Sequence, residues 1–63
     1  MKAKPYCNLP KDLNVLQIIG RVESKLRQEG LNKQADEFFD HATQTVGKKE
    51  LLDVVKKYVH III

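Results

Sequence analysis

The chain has 63 residues, 43% of them apolar and 30% charged, and a formal net charge of +3. That balance fits one small soluble domain and excludes two domains, a disordered chain and an enzyme large enough to enclose its substrate. It also falls short of the basic footprint of a dedicated nucleic-acid binder.

Residues 1–12 read as an extended arm. Pro5 and Pro10 push the residues before them away from helix, and Lys2, Lys4 and Lys11 keep the segment polar. Cys7, the single cysteine, cannot close an internal disulfide, so a reducing compartment such as the cytoplasm is expected.

From residue 13 the pattern becomes helical. Val15, Ile19, Val22 and Leu26 recur at spacings of four, three and four, with Ile18 on one flank. Asp12 or Asn14 can cap the start. Gly30 can take the left-handed conformation at the end, with Leu31 set against Leu26 in a Schellman arrangement. Helix one is therefore predicted over 13–29.

Asn32 is the expected cap of the second helix, predicted over 33–45. Its core face carries Ala35, Phe38, Phe39, Ala42 and Val46, and its opposite face Asp36, Glu37, Asp40 and Gln44. Gly47 breaks the chain, serving as the cap of one helix or the stop of the other. Helix three is predicted over 48–61, with a stripe of Leu51, Val55, Tyr58 and Ile62 widened by Leu52, Val54 and Val59. The short connections make consecutive helices neighbours. The expected fold is all-α: a compact three-helix bundle over residues 13–63 with an extended N-terminal arm. Leu26, Phe38, Phe39, Val55 and Tyr58 should share one core.

The string Ile18-Ile19-Gly20-Arg21-Val22, with Leu26, Gly30, Ala35, Glu37-Phe38, Ala42, Leu51-Leu52 and Tyr58-Val59, resembles a group of short uncharacterised proteins encoded on bacterial phages and other mobile elements. The resemblance covers residues 13–60. It implies a bacterial, cytoplasmic, mobile-element setting and carries over no functional residues.

No catalytic residue is expected. Cys7 lies in an arm with no histidine near it in sequence, whereas a nucleophilic cysteine needs a positioned base. His41 lies four residues after Glu37, beside Asp36 and Asp40, but one helix face supplies too few ligands for a metal. His60 stands on another helix, near only Glu50 and Asp53. The three glycines stand apart, so there is no phosphate-cradling loop. Neither cofactor nor metal nor small-molecule substrate is expected, and the terminal run Ile61-Ile62-Ile63 is far too short to span a membrane.

Binding is the remaining class. Lys48, Lys49, Lys56 and Lys57 are the candidate nucleic-acid contacts, in a helix that follows a short turn as in a helix-turn-helix. Asp53 lies among them, and the Lys49–Asp53 and Asp53–Lys57 spacings suit a self-neutralised solvent face. The stronger anomaly is on helix one. Leu13, Leu16 and Gly20 form a second apolar strip off the core stripe, and a glycine inside a helix often marks the approach of another backbone. Either the arm covers this strip through Tyr6 and Leu9, or it is a protein interface. The leading expectation is a small interaction protein that binds another protein or a second copy of itself. A weakly basic nucleic-acid-binding regulator is the alternative.

Overall fold

The computed structural model describes residues 4–62. Strand β1 (Tyr6–Asn8) is followed by helices α1 (Val15–Gln28), α2 (Asn32–Ala42) and α3 (Lys48–Tyr58), and by strand β2 (His60–Ile62). The three expected helices are present. The two strands were not anticipated, and they pair in parallel with Tyr6 opposite His60, Cys7 opposite Ile61 and Asn8 opposite Ile62.

Helix α1 begins where a reciprocal cap satisfies its first turn. Asn14 Oδ1 accepts the Gln17 N–H at 2.8 Å, and Gln17 Oε1 accepts the Asn14 N–H at 2.9 Å. Asn14, rather than Asp12, is therefore the cap. The helix stops as the sequence suggests. Gly30 has φ of 78°, Leu31 N–H donates to Leu26 O at 2.8 Å, and Gly30 N–H donates to Arg27 O at 3.0 Å. These are the two bonds of a Schellman cap, and Leu31 packs against the core beyond it. Replacing Gly30 with valine should cost about 1–2 kcal/mol, because a β-branched residue resists positive φ. Urea denaturation checks this; an unchanged midpoint would mean that the turn tolerates another backbone path.

Helix α2 starts one residue earlier than expected, and Asn32 lies within it rather than capping it. It also ends three residues earlier. Thr43 Oγ1 donates to Asp40 O at 3.0 Å and Thr45 Oγ1 to Ala42 O at 2.7 Å. Hydroxyls that bond nearby carbonyls compete with helix continuation. Val46, expected on the core face, is left 82% exposed. Gly47, with φ of 91°, is the residue capping α3.

Helix α3 stops at Tyr58 instead of continuing to residue 61. Val59 is extended, with φ of −140° and ψ of 159°, and the β-branched residues after it enter β2. The segment expected to be an extended arm is extended, and it is built into the fold as the partner of that strand. Leu9 N–H donates to Ile62 O at 2.8 Å and His60 N–H to Pro5 O at 2.9 Å. The part of the arm at residues 1–3, including Lys2, and the terminal Ile63 lie outside the described residues.

The core is one cluster fed by every element. Ile18, Val22 and Leu26 of α1, Ala35 and Phe38 of α2, and Leu51 and Val55 of α3 are sealed from solvent, with Cys7, Leu9 and Val59 closing it from the sheet side. Leu26, Phe38 and Val55 are core as expected. Phe39 is not: it is 46% exposed, and Tyr58 is only half-buried, its ring edge-on to Phe38 at 5.6 Å. On α1 the buried stripe is rotated from the expected one, with Ile18 central and Val15 at the surface. Arg27 ties α1 to α2 at the surface, donating to Glu23 at 3.0 Å and to Asp36 at 2.7 Å.

Candidate functional site

The sheet presents two unlike faces. Cys7 is buried and Ile61 half-buried on the side toward the helices, while Tyr6, Asn8, His60 and Ile62 are exposed on the other, where the Tyr6 and His60 rings lie 5.0 Å apart. Parallel sheets are ordinarily covered on both faces, and two strands alone are marginal in water. Here the helices cover one face only.

The strand edges matter more than the face. In a parallel ladder alternate residues direct their N–H and C=O to the same side. Pro5 O and Leu9 N–H both bond to β2, so Cys7 between them shares that side. Tyr6 and Asn8 therefore direct their backbone groups away from β2, along the outer edge of β1. That edge opens on a groove whose far wall is the flank of α1, where Gln17, Gly20, Arg21 and Lys25 line it.

Gly20 is the bare point of this wall. A Cβ placed on it would meet no atom within 4 Å, so nothing inside the fold demands glycine there. Yet glycine in an exposed helix interior costs roughly 0.5–1 kcal/mol relative to alanine. Gly20→Ala should accordingly raise stability by that amount, measurable as a higher urea midpoint. A loss of stability would show that the glycine serves the fold itself.

The charged side chains that line the groove are cationic. Among the described residues, its lining includes Arg21 and Lys25 and no carboxylate. Both cations act on the Cys7 thiol and draw its pKa down, but burial, the larger effect, leaves it above the ordinary thiol value. A buried thiol held in its neutral form is a poor nucleophile. Lys25 also pairs with Glu29 at 3.5 Å, near the end of α1.

The strip expected on helix one is divided. Leu13 is buried, with Leu9 in the same core cluster, so the N-terminal segment does cover this end. Leu16 stays 79% exposed, one turn before Gly20 on the same side of α1, and Tyr6 is 63% exposed. The arm, one of the two occupants considered for the strip, therefore covers Leu13 and leaves Leu16 open. Sequence reasoning missed Tyr6 and Asn8 as edge residues and Arg21 and Lys25 as groove residues. The available signal was the β-branched run from Val59 to Ile62 facing a short segment bracketed by two prolines.

The lysines of α3 do not gather into one stripe. At 100° per residue, Lys48, Lys49, Lys56 and Lys57 fan over about half the helix circumference, with Asp53 inside the arc. Lys48 Nζ donates to Lys11 O at 3.0 Å, and Lys56 O accepts from Lys4 Nζ at 3.0 Å. Lys11, Lys48 and Lys56 rim a second cleft floored by Leu9, Ile18, Leu52 and Ile61. Leu9 and Ile18 are buried core residues and add almost no accessible surface there. His41 contacts the Tyr58 ring at 6.4 Å, and burial followed by Glu37 raises the Tyr58 hydroxyl above its ordinary pKa. Among the described residues, no three histidine, cysteine or acidic side chains gather as a metal site, and no helix is long and apolar enough to cross a membrane.

No family model, characterised protein or solved structure matches this chain.

Proposed function

We propose that this chain is a small, non-enzymatic interaction protein that receives an extended segment of another protein along the outer edge of β1. The observation that carries this reading is the pairing of a strand edge that is unfilled among the described residues with a groove whose wall is bared by Gly20. Strand addition obtains its affinity from main-chain hydrogen bonds and its specificity from the pockets beside the edge. Tyr6 and Asn8 each offer one donor and one acceptor, and a net gain of about 0.5–1.5 kcal/mol per bond is modest against the cost of association. The groove must supply the rest. Edges this short and bracketed by prolines also resist open-ended pairing, so the site suits one added strand and not a growing sheet. A bacterial cytoplasmic setting, which the resemblance to mobile-element proteins implies, is part of the same proposal.

Selection of binders from a library of random decapeptides tests the reading. Asn8→Pro removes an outward N–H while leaving the bonds to β2 in place, and proline is tolerated at such edges. Recovered peptides should lose binding to Asn8→Pro and keep it with Asn8→Ala. Peptides that bind both variants equally would refute strand addition. A nucleic-acid role through Lys48, Lys49, Lys56 and Lys57 would appear instead as oligonucleotide binding that collapses steeply with salt.

A further inference from the structure

We infer that the added segment is acidic, with carboxylates at alternate positions, and that Arg21 and Lys25 recognise them. This rests on the strand-addition reading above and specifies its partner. Among the described residues the groove has no carboxylate in its lining, Arg21 is exposed, and Arg21 and Lys25, the latter paired at its rim with Glu29 at 3.5 Å, stand four residues apart on α1. Four helical residues rise about 6 Å, close to the roughly 6.6 Å that separates same-face side chains in a strand. A strand laid beside β1 and running along α1 would present every second side chain to the helix at nearly the spacing of the two cations. On the same wall, a Cβ on Gly20 would meet nothing within 4 Å, so the space before it is open.

Charge also decides against a second copy as the occupant. The segment that would have to add is β1 itself, flanked by Lys4 and Lys11 and carrying no acid between them. Two such edges brought together across a two-fold axis would set lysines near the other copy's Arg21 and Lys25. Like charges so placed suppress the pairing, whereas an acidic strand is drawn to it.

The test uses the full chain and four end-blocked, fluorescein-labelled peptides, read by anisotropy. The first is a heptapeptide of alternating threonine and glutamate, and the second alternates threonine and lysine. The third has the composition of the first with its glutamates contiguous, and the fourth copies residues 4–10. The alternating acidic peptide should bind best, by about tenfold or more over the lysine peptide, and should weaken as salt rises. Arg21→Glu combined with Lys25→Glu should reverse the preference, while Lys49→Glu, away from the groove, should leave it unchanged. Gly20→Trp should block every peptide. It is a second probe of the groove should Asn8→Pro fail to fold, and circular dichroism checks the fold of each variant.

Equal binding of the acidic and lysine peptides, or indifference to the Arg21 and Lys25 reversal, would overturn the inference. If Asn8→Pro and Gly20→Trp still abolished binding in that case, strand addition itself would stand. Preference for the contiguous glutamates would overturn the spacing argument. Binding of the residue 4–10 peptide above the others, with a dimer by light scattering, would make a second copy the occupant and overturn the acidic partner. Acidic-peptide binding untouched by Asn8→Pro and Gly20→Trp would overturn both readings.

Discussion

A chain lacking residues 1–10 is expected to lose cooperative folding at room temperature. The deletion removes Cys7 and Leu9 from the core and strips β2 of its only partner among the described residues. Burying one leucine is worth about 1.5–3 kcal/mol, and Leu9 is almost completely buried. Leu13 and Ile61, which pack with it, would then face water. At roughly 0.05–0.15 kcal/mol per residue, a domain of this size has only about 3–9 kcal/mol in total. Circular dichroism during urea titration should therefore show a broad, shallow transition in place of a sigmoid. A truncated chain with the wild-type midpoint would mean that the three helices are self-sufficient and the sheet is ornament.

This dependence explains why the helices were legible in the sequence and the sheet was not. Helix α1 announces itself locally: the period of Val15, Ile19, Val22 and Leu26, a cap at Asp12 or Asn14 and the Gly30 stop all fall within one window, and the structure only rotates the stripe toward Ile18. The strands answer to a contact between the two ends of the chain. Tyr6–Asn8 has three residues and no period to measure, and its partner is separated from it by all three helices. Val59 and Ile62 also fitted the helical stripe of α3, so periodicity extended that helix through a run whose β-branched residues favour a strand.

The candidate site was half legible for the same reason. Gly20 stood out because a glycine inside a well-formed helix breaks a local rule without a local compensation. What it serves could not be read, since the groove exists only once β1 lies beside α1. Leu13 and Leu16 looked alike by spacing, yet the N-terminal segment buries the first and leaves the second in water. Arg21 and Lys25 carry no signal of their own in the sequence, since only the fold sets them beside the edge of β1.

The neighbouring phenylalanines of α2 offer the sharpest check of the core. Both fall on the helical stripe, but the helix turns Phe38 inward and leaves Phe39 46% exposed. Phe38 sits between α1 and α3 with the Tyr58 ring edge-on to it at 5.6 Å. Phe38→Ala should cost about 3–5 kcal/mol, from lost transfer energy and from a cavity that rigid neighbours cannot fill. That is comparable to the entire stability of so small a domain, so the variant should be unfolded or nearly so. Phe39→Ala gives up only part of a burial energy of roughly 1.5–3 kcal/mol and should remain folded, about 1 kcal/mol weaker. Urea midpoints of the two variants decide the matter. Equal losses would mean that α2 is rotated about its axis and shares both rings with the core. A larger loss at Phe39 would put the wrong face of α2 against α1 and α3, and the groove beside β1 would have to be redrawn with it.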